Sequence, residues 1–430
     1  MKLKINIICI AIISMVMSSC NQNPKSKKEM QIGKQVTAKE ILGNPNYLAI
    51  SYGGYREKSR DSQPTIKELK DDLKLLSAMG IKIIRTYNVQ LPLPHASNIL
   101  KAITELKKED PNFEMYVMLG AWIDCLNAWT EFPPDHNVES PDNAAEIDRA
   151  VALANQYPDI VKVLAVGNEA MVKWAASYYV QPNVILKWVN HLQKLKSDGK
   201  LPKDLWITSS DDFASWGGGE DQYHVEDLEK LIKAVDYISM HTYPYHNSHY
   251  NPEFWGVPES QDSLSNVEKI DAAMKRAVEF SKRQYDSVKN YMKSLGVNKP
   301  VHIGETGWAT VSNGFYGPSG SRATDEYKQG VYHRLMREWT NKNNISCFYF
   351  EAFNEQWKDA QNSKGSENHF GLFTIDGKAK YPIWDLVDKG IFKGLTRNGN
   401  PITKTYGGNK DLLMKDVLVP PSINEIMANR

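Results

Sequence analysis

Eight short apolar or β-rich runs, separated by helical patterns, recur in series along this chain, and no other feature constrains the fold as strongly. The runs lie at 47–54, 81–88, 113–122, 160–168, 204–210, 235–243, 300–306 and 345–353. Strands that alternate with helices pair in parallel. Eight such units predict a closed (β/α)8 TIM barrel of the α/β class, as a single domain, in preference to an open sheet. Runs such as Val163-Leu164-Ala165-Val166 are apolar without alternation, as a strand covered on both faces requires. The helices carry signals of their own. Thr65 and Glu68 have the spacing of a capping box, Ile66, Leu69, Leu73 and Leu76 form one apolar stripe, and Gly80 closes the segment. Asn143 to Glu146 repeats the cap spacing, Pro182 suits a first helical turn, and Tyr327, Val331, Leu335 and Trp339 mark the last helix.

The N-terminus reads differently. Lys2 and Lys4 precede an apolar run from Ile5 to Met17 that is too short to span a bilayer comfortably, which predicts a secretion signal over 1–19. Met17-Ser18-Ser19-Cys20 is similar to the bacterial lipoprotein signal, in which cleavage leaves the cysteine as an acylated N-terminus. On that reading Cys20 is a lipid anchor, 20–44 is a flexible tether, and the protein is held at a membrane of the cell envelope, the outer membrane by expectation. A plain secreted protein is the alternative. Lys25 to Lys28 is the only basic cluster and suits contact with lipid headgroups.

The barrel is expected over 45–390, and 391–430, which lacks a strand and helix period, as a tail packed on it and partly disordered near its end. The leader contains two lysines and no acid, so the mature chain has 50 basic against 51 acidic residues, a formal charge of −1. No nucleic acid or other polyanion is implied as a partner, and a monomer is expected. Only Cys125 and Cys347 remain after the leader, so no disulfide framework exists; two free or buried thiols are expected, with a single bridge as the alternative.

Polar clusters follow the strand runs, at Asn168-Glu169, Ser209 to Asp212, His241 to Tyr243, Glu305 to Trp308 and Asn354-Glu355. Barrel enzymes place their sites at these carboxyl ends. Glu169 and Glu305 end the fourth and seventh strands, on opposite sides of the mouth, where two carboxyls can meet at roughly 5 to 5.5 Å. Glycosidic cleavage needs such a pair, one group to protonate the departing oxygen and one to capture the oxocarbenium carbon. A glutamate at a strand end is more often simply solvated or paired. It is the pairing at these two strands that gives the reading weight.

Val166-Gly167-Asn168-Glu169 and Ile303-Gly304-Glu305-Thr306-Gly307-Trp308 resemble the acid/base and nucleophile motifs of glycoside hydrolase family 17, which degrades or remodels β-1,3-glucans. The resemblance continues from Ile50-Ser51-Tyr52-Gly53-Gly54-Tyr55-Arg56 through Ile84-Arg85-Thr86-Tyr87 to the run Phe350 to Lys358 and His369-Phe370-Gly371-Leu372-Phe373. It implies a retaining hydrolase without cofactor or metal, with Glu169 as proton donor, Glu305 as nucleophile and Asn168 on the sugar 2-hydroxyl. Arg85, Tyr87 and Tyr243 are expected beside the nucleophile, Tyr243 foremost, with an aromatic plug as its bland alternative. His241 is as well placed for a structural role as for substrate contact. Glu355 and Glu367 match two further acidic positions near the cleft, as supports of the pair or as salt bridges. Asn354 stands where the family more often has Asp, and Ala309 where it has Pro.

Sugar rings present apolar C–H faces, so flat aromatics are candidate platforms. Trp308 is favoured, with Phe353, Trp122, Trp174, Trp216 and Trp357 behind it, while Trp188 and Trp339 read as core. The histidines include no His-Glu-X-X-His pair; His241, His246 and His249 read as loop residues, and a structural cation at Asp211 or Asp212 stays open. Two other readings are a glucanosyltransferase on the same barrel and a surface glycan-binding lipoprotein without activity.

Overall fold

The computed structural model describes residues 36–90 and 93–428. The leader, Cys20 and the first part of the expected tether therefore lie outside the described residues. Eight parallel strands close into one barrel: β1 (Leu48–Ser51), β2 (Ile81–Arg85), β3 (Tyr116–Ala121), β4 (Val161–Asn168), β5 (Trp206–Asp212), β6 (Ile238–His241), β7 (Val301–Gly307) and β8 (Cys347–Phe350). Parallel pairing of β1 with both β2 and β8 closes the cylinder, as the eight-unit alternation predicts.

Alternation along each strand sorts the apolar side chains into two cores. Ala49, Ile83, Met118, Val163, Ala165 and Phe348 fill the barrel, while Ile50, Ile84, Val117, Leu119, Leu164 and Val166 pack outward under the helices. Further along the axis the filling turns polar, with buried Arg85, Ser210, Ser239, His241 and Glu305. That polar layer is the floor of the site.

The capping box at Thr65 and Glu68 forms as read, and Pro182 opens the helix Pro182–Ser197. The spacing from Asn143 to Glu146 does not make a second box. Asn143 Oδ1 instead accepts from the Asp124 amide, and Glu146 Oε1 accepts from the amides of Val89 and Trp122, so both pin loops at the mouth. Capping geometry and loop pinning need the same residue types, and spacing alone does not separate them.

Residues 36–44 are not a tether. Thr37 and Glu40 cap a helical turn, Ala38–Ile41, whose Ala38 and Ile41 join the barrel-filling core. The lower barrel opening exposes apolar side chains that need a cover, and this turn supplies it, so folded structure is present at least nine residues before the expected boundary at 45. The segment 244–263 is likewise not open loop but a helix, Pro244–Tyr250, and two 3-10 turns around a buried Trp255. Within 391–430, Arg397 is buried against Asp72 Oδ1 at 3.0 Å, and Ser422 bridges to Val257. Cys125 and Cys347 are free and buried. Among the described residues no helix is long and apolar enough to cross a membrane.

Candidate active site

Glu305 is placed by β7, and Gly304 before it is what lets the strand sit there. A Cβ at Gly304 would lie 2.0 Å from Ser239 Oγ and 2.6 Å from Ser210 Oγ, so any side chain would push β7 off β5 and β6. Glu169 follows β4 through a bend, with Gly167 at φ 80° and Glu169 itself at φ 47°. The left-handed conformation costs a non-glycine residue about 1 kcal/mol or more, and such strain collects at functional sites. An amide hydrogen bond from Glu169 to Ser210 O, 3.0 Å, holds the bend.

Three donors converge on Glu305. Glu305 Oε2 accepts from Arg85 Nη1 at 2.6 Å and from the Tyr87 hydroxyl at 2.9 Å, and Oε1 accepts from the Tyr243 hydroxyl at 2.7 Å. Arg85 also donates to Gly304 O and, through Nη2, to Asn168 Oδ1, so one guanidinium ties β2 to β4 and β7. His241 Nδ1 lies 3.0 Å from Glu169 Oε1, with its Nε2 2.8 Å from Ser210 Oγ. One oxygen of each carboxyl and a ring nitrogen of His241 lie within 4.8 Å of one another.

The environments pull the two carboxyls apart. Burial raises Glu169 well above the usual carboxylate range, and the charge of Glu305 raises it further against the pull of Arg85. For Glu305 burial also works against the charge, but His241, Arg85 and the hydroxyls of Tyr243 and Tyr87 outweigh it and hold the carboxyl low. Burial pushes His241 itself down to about 4, so the ring is neutral near pH 7 and Arg85 is the lasting positive charge beside Glu305. Burial likewise raises both tyrosine phenols far, which keeps them as hydrogen-bond donors.

Arg85, Tyr87, Asn168 and Tyr243 thus gather at the pair. Tyr243 is not a plug, and Tyr87 shares its task on the opposite oxygen. Glu367, on the 3-10 turn Ser366–His369, is close enough for the charge of Glu305 to add to the upward shift that its burial causes. Glu355 serves one step away: it accepts from the Tyr55 amide and the Trp357 indole, with Lys358 Nζ at 3.4 Å, and fixes the loop after β1. At Asn354 the charge absent from the chain is replaced by a different network, in which buried Lys380 donates to Asn354 Oδ1 at 2.9 Å.

Trp308 and Phe353 are corrections. Glu305 faces the barrel axis, so by strand alternation Trp308, three residues on, faces out. It is fully buried among Tyr245, Trp255 and Tyr332, and its indole donates to Ala323 O at 2.8 Å. Phe353 is buried on Phe373, with the Arg397 guanidinium 4.1 Å from its ring. Neither can stack on a sugar. Trp216 is core as well, while Trp174 is exposed. His246 is half-buried, with its Nδ1 3.0 Å from the Tyr316 hydroxyl, rather than fully solvated. Glu351, which carries no functional signal of its own in the sequence, is a buried partner of Lys358 at the end of β8.

Asp211 and Asp212 accept from backbone amides, Asp211 from Met171 and Asp212 from Ala214, which gives each a structural task. Among the described residues, the one group of His, Cys, Asp and Glu with metal-ligand spacing is Glu169, His241 and Glu305. Arg85 already places a fixed cation there.

A barrel mouth that holds two close carboxyls in opposite protonation states has the machinery of a glycoside hydrolase. The chain belongs to the BtgE/BtgC glycoside hydrolase domain family, whose model matches residues 49–371. It is 70% identical to an endo-laminarinase from Formosa Hel1_33_131, with a TM-score of 0.89 over 90% of this chain and 98% of that one. A glucan 1,3-β-glucosidase of Arthroderma benhamiae is 24% identical over 64% of this chain and 73% of its own length. A putative glucan endo-1,3-β-glucosidase of Aspergillus niger, also 24% identical, is matched over 71% of this chain but only 37% of its own length. The β-1,3-glucanosyltransferase of Rhizomucor miehei shares the fold at 22% identity and a TM-score of 0.53, over 78% of this chain and 96% of that one.

Proposed function

We propose that this chain hydrolyses β-1,3-glucan of the laminarin type by a retaining double displacement, as a member of glycoside hydrolase family 17. The observation that carries the mechanism is the pair itself: a buried Glu305 and a half-buried Glu169, with oxygens within 4.8 Å and opposed acidities. Retaining enzymes keep the groups about 5 to 5.5 Å apart, whereas inverting ones need about 6.5 to 9.5 Å for a water. The substrate class is supported by the 70% identity to the Formosa endo-laminarinase, which also favours internal cleavage.

In the first step the Glu305 carboxylate attacks the anomeric carbon, the glycosidic C–O bond breaks, and Glu169 gives its proton to the leaving oxygen. Forming the ester removes the charge of Glu305, and Glu169 becomes more acidic. As a carboxylate it then takes a proton from water, whose oxygen attacks the same carbon and frees Glu305. Arg85, Tyr87 and Tyr243 hold Glu305 charged and aimed; Asn168, fixed by Arg85, faces the sugar.

Sizing the early products of laminarin, curdlan and mixed-linkage glucan tests the reading. Shortened β-1,3-oligosaccharides with new reducing ends are expected. Products longer than a laminarioligosaccharide substrate would make transfer the reaction instead, and no reducing sugar at any pH would leave a glycan-binding protein.

Lipid anchoring at Cys20, with a cell-envelope location, belongs to the same proposal and rests on the leader sequence alone. Cells fed a labelled fatty acid should label the protein, and Cys20→Ser should abolish it; an unlabelled, released wild type would refute the anchor.

A further inference from the structure

One exposed aromatic cluster takes no part in the mechanism above. After β3 the chain makes a small antiparallel hairpin, Cys125–Leu126 against Asp135–Glu139, and Trp129 stands in its connection. Trp129 is 62% exposed, and its backbone is left-handed at φ 62°. Both features cost stability: the ring leaves a large apolar surface in water, and a bulky side chain in that conformation is strained. Both are nevertheless fixed by neighbours. Its indole lies over the ring of Tyr178, with centroids 4.9 Å apart and planes 23° apart, so one face is backed and the other is free. Asp124 Oδ1 accepts from the indoles of both Trp129, at 3.3 Å, and Trp122, at 2.5 Å, which sets their edges against one carboxylate. Tyr178 is held in turn by its carbonyl, which accepts from the Cys125 amide at 3.1 Å.

The cluster sits on the segments that lead away from Glu169 and from the neighbouring strand. Tyr178 follows β4 and Glu169, in a loop whose Val180 amide donates back to Ala170 O at 2.7 Å, and Trp122 follows β3, which pairs with β4. Burial raises the Tyr178 phenol, and the charges that add to this rank Glu169 first, ahead of Asp211 and Glu305. Tyr178 thus lies on the Glu169 side of the site. Because Glu169 protonates the departing oxygen, that side holds the part of the chain that leaves.

We propose that Trp129, backed by Tyr178 and braced with Trp122 through Asp124, is a stacking platform for a glucosyl residue on the leaving-group side of the cleft, beyond the sugar bonded to the cleaved oxygen. The inference rests on the glucan reading above. A rigid indole with one free face suits the C–H face of a pyranose ring, and its strain is spent before the substrate arrives. The platform gives nothing to a substrate too short to reach it.

Reducing-end-labelled laminaribiose, which ends before the platform, and laminarihexaose, digested by wild type, Trp129→Ala and Trp129→Phe, test it. With Trp129→Ala, kcat/KM on the hexaose should fall about fivefold to tenfold, the scale of one lost aromatic contact, and stay within twofold on the biose. The labelled first products should become shorter, and Trp129→Phe should keep most of the wild-type rate and pattern. An equal effect on both substrates, no effect on either, or a change confined to the unlabelled end would overturn the platform while leaving the hydrolase reading intact. A wild type inactive on both oligosaccharides would overturn the hydrolase reading itself.

Discussion

Replacing Glu305 by alanine should lower kcat on laminarin by about 10⁴-fold or more, since the covalent route then has no nucleophile and the site acts as a unit. The local chemistry makes this the largest single loss. Glu305 takes donors from Arg85, Tyr87 and Tyr243, and all three lose their acceptor when it is removed. Arg85, only 1% exposed, is then left with a buried charge opposed by nothing nearer than Glu169. Breaking such a buried pair costs about 3 to 5 kcal/mol, so Glu305→Ala should also melt at a lower temperature. Glu305→Gln separates the two effects: the amide oxygen still accepts, the fold is kept, and the rate is still lost. Azide added to Glu305→Ala should attack the anomeric carbon from the vacated face and give an α-glycosyl azide. A variant that keeps a tenth of the wild-type rate would remove Glu305 from its role.

How far these roles can be read from the chain depends on direction as much as on residue type. The barrel was legible because hydrophobic runs and helical stripes repeat eight times, and each repeat reinforces the count. The carboxyl pair was legible for the same reason, since strand number places Glu169 and Glu305 across the mouth before any side chain is drawn. Trp308 is near Glu305 in sequence but not in space, because strand alternation puts residues three apart on opposite faces. Phe353 fails similarly, past the end of β8, where the chain turns down into the aromatic layer with Phe373.

Other features depend on partners distant in sequence. That Glu146 gathers the amides of Val89 and Trp122, or that Arg85 reaches Asn168, follows only once the loops are closed over one another. The N-terminal turn is a different case, since Thr37 and Glu40 have the capping spacing in plain view. The polar stretch that precedes it masks that signal by resembling a tether. Trp129 had no periodic signal at all; only exposure, strain and the ring beneath it single it out.

Glu169→Ala should behave differently from any change at Glu305, and the difference separates an acid/base from a second structural carboxylate. On laminarin the first step loses its proton donor, so kcat should fall about 10²- to 10⁴-fold. On an aryl β-glucoside oligomer with a good leaving group that step needs little help, and the glycosyl-enzyme then accumulates because water lacks its base. Azide, which needs no base, should restore turnover and give the β-glycosyl product, the opposite anomer to that from Glu305→Ala. The pH profile adds a second sign. Glu305 must be charged, so the wild-type rate is lost as pH falls through its lowered pKa; Glu169 must be protonated, so the rate is lost again as pH rises through its raised one. With Glu169 gone, the first-step profile should lose its alkaline limb and keep the acidic one. An alkaline limb that persists in Glu169→Ala would assign it to another group, and a β-azide from neither variant would end the double-displacement account.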